Sequence, residues 1–186
     1  TVNLPNAAVL AIKAGGKERL AMLFDLGQAQ DSAEGFAVLA LYDLTGKPKL
    51  LDAVNVGTDQ STYFRDPGKL AIGPGDDALI TMILILVRND RFEPIDQINT
   101  FDENVCAYKR TQDLSFQTRG SEKPYAAVRV TVTDATKPSG ESCEEPAPKA
   151  VSHDISVTYH WNKKTSRYVA DSDAFKRLSA ENEKRF

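Results

Sequence analysis

The sequence predicts a mainly β chain, an antiparallel sandwich, meander or partial barrel of hairpins with a short C-terminal helix, and three observations carry that expectation. Apolar segments of strand length recur at short spacing between Gly, Pro, Asn and Asp, which is the punctuation of β-hairpins. Two segments alternate strictly: Ala126, Val128, Val130 and Val132 share one side against Arg129, Thr131 and Thr133, and Ile155, Val157, Tyr159 and Trp161 oppose Asp154, Ser156, Thr158 and His160. A period of two is that of a half-buried strand. The third is the run ALITMILILV, Ala78 to Val87. It is about half the roughly 20 residues a membrane-spanning helix needs, and its Ile and Val content favours a single core strand covered on both faces.

The elements follow in order. Ala7 to Lys13 and Glu18 to Leu26 form a hairpin across Gly15-Gly16, since tight hairpin turns need positive φ angles. After a polar loop from Gln28 to Glu34 come Phe36 to Asp43 and Lys49 to Val56, then the apolar run, which returns through Asn89-Asp90-Arg91 to a strand from Pro94 to Phe101. Asp102 to Lys123 is charged and reads as irregular; Tyr125 to Thr133 is a strand, and Asp154 to Trp161 with Arg167 to Ala170 is the last hairpin. From Ser172 the pattern is helical, with Asp171 or Ser172 as cap and Phe175 and Leu178 on the buried side. One β-rich domain over 1–186 is expected, with lobes 1–66 and 67–186 as its possible subdivision. Three hairpins resemble one another, LALYDLTGKPKLLDAV, ILILVRNDRFEPIDQI and VTYHWNKKTSRYVADS, but their irregular spacing speaks against a repeat array.

Composition narrows the function classes. A formal charge of -3 over 186 residues gives no drive toward phosphate backbones, so nucleic acid is not an expected partner; no transmembrane segment is expected either. The chain opens at Thr1 without a Met or a signal-peptide pattern, and a segment removed upstream is the expectation. Its two cysteines, Cys106 and Cys143, are read as a disulfide, because Cys143 lies in a polar, Pro-rich segment where no core could bury a thiol. Closing that loop stabilises the fold by roughly 3 to 4 kcal/mol in the chain-entropy view. The expected compartment is therefore extracytoplasmic, periplasmic or secreted.

No segment carries a nucleophile elbow, a phosphate-binding loop or a metal-ligand spacing, so no catalytic residue, metal ligand or cofactor is assigned. Gly73-Pro74-Gly75-Asp76-Asp77 reads as a turn, with a weak cation site on its two carboxylates as the alternative. Ser156, Thr158 and His160 form a polar strip with neighbours about 7 Å apart, too far for a nucleophile and its base. Asp25, Asp43, Asp52, Asp96, Asp102 and Glu103 lie near strand ends, where a polysaccharide hydrolase would place its pair. Aromatic residues beside cations are better suited to recognition. Tyr63, Arg65, Tyr108, Arg110 and His160 are the candidate ligand-binding residues, with a protein or carbohydrate as partner, presented by loops 63–68, 102–120 and 137–149. The expected role is a non-catalytic binding or accessory module, with the hydrolase and a structural or regulatory subunit of a larger assembly as alternatives.

Overall fold

The computed structural model describes residues 7–28, 35–58, 61–120, 123–144 and 146–184. They fall into two compact units, Thr1–Gln97 with Ser121–Ala126, and Ile98–Gly120 with Ala127–Phe186. The chain is mainly β, with thirteen strands in three antiparallel sheets and one helix among the described residues.

In the first unit, β1 (Ala8–Ala14), β2 (Lys17–Gln28), β3 (Gly35–Asp43) and β4 (Lys49–Asn55) form a meander in chain order. A second meander is made of β5 (Lys69–Ala71), β6 (Asp77–Ile80), β7 (Ile83–Arg88) and β8 (Arg91–Gln97). Ile12, Leu23, Leu39 and Leu41 of the first sheet and Leu79, Ile85 and Val87 of the second meet in one buried cluster. Gly15 and Gly16 turn β1 into β2 at φ of 58° and 73°, the conformation the Gly-Gly pair implies. The loop expected over 28–34 begins one residue late, because Gln28 still pairs with Gly35; the rest of it lies outside the described residues.

The apolar run is not one strand. It is a hairpin, β6 and β7, with Ile80 paired to Leu84 around Thr81 and Met82. The Thr81 hydroxyl accepts the Ile83 amide at 3.0 Å and the Thr81 amide donates to the Ile83 carbonyl at 3.1 Å, so a single hydroxyl closes a turn that holds no Gly, Pro or Asn. Burial on both faces does hold: Ala78 through Ile80 and Leu84 through Val87 are all buried. The return strand starts at Arg91, not Pro94, since Asn89 and Asp90 take positive φ (53° and 58°) and pair Arg88 with Arg91 at once. Pro94 sits in β8, an edge strand, where its missing N–H leaves no central ladder broken.

The second unit is a five-stranded sheet in the order β13-β12-β11-β10-β9, from β9 (Glu103–Asn104), β10 (Tyr108–Arg119), β11 (Ala127–Pro138), β12 (Val151–Asn162) and β13 (Arg167–Ala170). The stretch 102–123 is thus no irregular loop but contains a twelve-residue strand paired along its whole length with β11. Its inward positions include Arg110 and Gln112, polar residues that hide the alternation. β11 and β12 alternate as the sequence implies, with Val128, Val130, Val132, Val157 and Tyr159 buried. The helix α1 (Ala174–Glu183) buries Phe175, Leu178 and Asn182. Its N-cap is Asp173; Asp171 is occupied elsewhere, its Oδ1 accepting the Thr158 amide at 3.0 Å.

Both carboxylates of the Gly73–Asp77 turn accept hydrogen bonds from the protein itself. Asp76 accepts the Gly15 amide at 2.6 Å and the Tyr125 hydroxyl at 2.7 Å, and the buried Asp77 accepts the Lys13 amide at 2.9 Å. The Gly16 amide donates to the Gly75 carbonyl at 2.8 Å, and a Cβ on Gly75 would stand 2.6 Å from Gly16 N. Gly75→Ala is therefore expected to cost about 1–3 kcal/mol through that backbone clash. Gly46→Ala, which meets nothing within 4 Å, serves as control in urea denaturation, and equal stabilities for the two variants would contradict the close approach.

Candidate functional site

The two faces of the five-stranded sheet differ in kind. On one, the pairs Gln112–Asp134 and Asp134–His153 continue the row that also places Arg110 inward. The Arg110 guanidinium grips Asp134 through Nε at 2.7 Å and through Nη2 to the second carboxylate oxygen. Gln112 Nε2 donates to Asp134 Oδ2 and to Asn182 Oδ1, both at 3.1 Å, while Gln112 Oε1 accepts Asn182 Nδ2 and the Phe101 amide, both at 2.9 Å. The helix is thereby docked by a reciprocal amide pair as well as by Phe175 and Leu178. Burial alone would raise the Asp134 carboxyl, but the hydrogen bonds from Arg110 and Gln112 outweigh it and hold the group below its ordinary range. His153 stands at the rim, mostly exposed, with Nε2 4.0 Å from Asp134 Oδ2.

Tyr108 precedes Arg110 by two positions on the same face, and its hydroxyl donates to Glu103 Oε2 at 3.0 Å. Just before it, Cys106 is joined to Cys143 by the expected disulfide, with Cα atoms 5.9 Å apart. The crosslink ties the segment after β11 to the start of β10, and the Ser139 amide adds a bond to the Ala107 carbonyl at 3.1 Å. Tyr108 and Arg110 are thus brought together, but the Arg110 head is buried in an ion pair rather than turned to a ligand. In the first unit Tyr63 and Arg65 are also brought together, the guanidinium 5.6 Å from the exposed ring.

His160 belongs to the other face, with Ser156 and Thr158. There Thr131 and Ser156 share a hydroxyl hydrogen bond at 2.8 Å, Arg129 donates to Ser156 at 3.0 Å and Thr133 to Asp154 at 2.8 Å. At the β12–β13 hairpin His160, Trp161, Asn162, Lys163, Lys164, Val169, Ala170 and Asp171 line an open depression of about 570 Å³. Trp161 and Tyr168, a cross-strand pair, meet edge to face at 5.5 Å, and Asn162 Oδ1 holds the turn by accepting the Lys164 and Thr165 amides at 2.9 and 3.2 Å. The sequence marks His160 as a candidate but neither Lys163 nor Lys164; the turn-forming Asn162 before them is the signal in the sequence that they project from a fixed hairpin.

The six carboxylates considered for hydrolysis each hold an internal donor. Asp25 accepts the Gly27 and Thr62 amides, Asp43 the Thr45 amide, Asp52 the Phe92 amide, Asp96 the Gln97 amide, Asp102 the Gln112 amide and Glu103 the Tyr108 hydroxyl. Among the described residues no group of three or more His, Cys, Asp and Glu is arranged to hold a metal ion, and no helix is long and apolar enough to cross a membrane. Comparison with protein families, curated proteins and solved structures finds no match to this chain.

Asp134→Ala is expected to cost about 3–5 kcal/mol, since it leaves a buried guanidinium uncompensated, whereas Arg110→Met with Asp134→Leu recovers most of the loss. A carboxyl held below its unfolded value near 3.9 contributes its full stability above that pH and loses it as pH falls through the lower, folded value. Acid denaturation of the wild type should therefore steepen below about pH 4, and less so for the double variant. A single variant as stable as wild type in urea would remove the pair from the account.

Proposed function

We propose that this protein is a non-catalytic binding or accessory module that acts outside the cytoplasm, holding an acidic carbohydrate or protein surface against the β12–β13 hairpin. The observation that carries the reading is the open depression there, bordered by His160, Lys163 and Lys164 on a turn fixed by Asn162. A turn whose backbone is fixed and which carries Lys163 and Lys164 beside an aromatic pair suits an anionic, hydrogen-bonding partner, because little loop ordering is left to the binding step. The disulfide supports the compartment, as such crosslinks persist where the surroundings oxidise. The engagement of all six acidic candidates by internal donors favours binding over hydrolysis.

Calorimetric titration with a polyuronate and with polyglutamate is the test, with a neutral glucan as control. Binding to an acidic polymer should weaken as salt rises, and Lys163→Ala with Lys164→Ala should lower its affinity about tenfold, a loss of some 1.4 kcal/mol. Shortened saccharides released on incubation, or no preference for either acidic polymer over the glucan, would overturn the reading.

A further inference from the structure

We infer that the anionic partner is a linear polysaccharide bearing carboxylates, a polyuronate, and that it runs across the strands of the five-stranded sheet from the β12–β13 hairpin to Arg119, an assignment that rests on the hairpin site proposed above. The strand registers sort the polar face of this sheet by charge. Asp113, Thr133 and Asp154 make one cross-strand row, and Ser115, Thr131 and Ser156 make the next. Two residues further along, Gln117, Arg129 and Thr158 stand abreast. The following row begins at Arg119 on β10 and ends on the His160–Val169 pair that lines the depression. Arg167, opposite Asn162, closes the series beside Lys163 and Lys164. Carboxylates thus hold one end of the face and guanidiniums the other. Among the described residues of the cationic rows the carboxylate is Asp171, whose Oδ1 is taken by the Thr158 amide at 3.0 Å.

Charge complementarity and the pattern of hydroxyls choose the occupant. Arg119, Arg167, Lys163 and Lys164 are exposed, and Arg129 is half-buried with its Nη2 held on Ser156 Oγ at 3.0 Å. That bond uses one of the five N–H donors of a guanidinium, whose planar fork fits a carboxylate. From β10 to β13 these cations cover three inter-strand steps, about 14 Å in all, so a ligand with repeated charges spans them and a single small anion does not. A polyanion laid along the strands would instead run into Asp113 and Asp154, whose row lies about 13 Å from that of Arg129. Repulsion there turns the chain across the sheet. Between the guanidiniums and those carboxylates lies the hydroxyl row, where Thr131 and Ser156 share a hydrogen bond at 2.8 Å. Hydroxyls both donate and accept, which matches the ring hydroxyls of a sugar, whereas an acidic peptide offers its carboxylates without them. A uronate chain also gives up less conformational freedom on binding than a flexible peptide does.

Calorimetric titration of the whole chain with polygalacturonate, and with polyglutamate of matched charge, tests the assignment. The wild type should bind the polyuronate at least about tenfold more tightly than polyglutamate. Arg119→Ala with Arg129→Ala should lower the polyuronate affinity about tenfold with circular dichroism unchanged, while Asp113→Asn, at the other end of the face, should change it less than about twofold. Arg119→Ala alone, at an exposed position, should lower it about threefold and serves if the double variant does not fold. Polyuronate binding that Lys163→Ala with Lys164→Ala weakens but the arginine substitutions leave intact would overturn the path across the strands and keep the hairpin site. Polyglutamate bound as tightly as the polyuronate would overturn the polysaccharide, and no binding of either polymer would overturn the hairpin site as well.

Discussion

An open sheet leaves backbone N–H groups along its edge with no strand to accept them, and this chain meets that requirement with carboxylates. In the first unit Asp77 accepts the amide of Lys13 on the edge strand β1, and Asp52 accepts that of Phe92 on the edge strand β8 at 2.8 Å. Each bond runs from one meander to the other. Asp76 extends the seam by taking the Gly15 amide, and Asp90 closes the far turn on the buried Arg19 at 2.8 Å. The bonds satisfy groups that would otherwise cost free energy or invite a foreign strand. They also fix how the sheets meet, so the apolar cluster between them has one way to pack.

The second unit meets a related demand inside its sheet. Asp134 points into an apolar face and is tolerated because Arg110 and Gln112 converge on it. Gln112 in turn uses both amide hydrogens and both lone-pair directions, on Asp134, Asn182 and Phe101. The network carries the helix, whose apolar contacts are few. Arg110 thereby becomes a residue of the scaffold, its guanidinium committed to Asp134.

How much of this was legible depends on where polar groups went. The Gly-Gly hairpin, the alternating strands β11 and β12, the helix and the disulfide all announced themselves, because their polar residues face water or occupy turns of known conformation. Strand β10 was concealed, since Arg110 and Gln112 stand where apolar residues would mark the inward face. The break in the apolar run was concealed for a different reason: Thr81 makes its turn with a hydroxyl, and no positive-φ residue betrays it. The acidic residues near strand ends were visible, but their donors are backbone amides distant in sequence. No pattern along the chain could pair Asp77 with Lys13 or Asp52 with Phe92.

The most direct measurement of the carboxylate seam is amide hydrogen exchange at Lys13 and Phe92, resolved residue by residue. Though both lie on edge strands, their amides should be protected well beyond other edge positions, and Asp77→Asn and Asp52→Asn should each speed exchange at the amide it caps more than at the strand centres. Exchange in the wild type as fast as in an exposed loop would contradict the account.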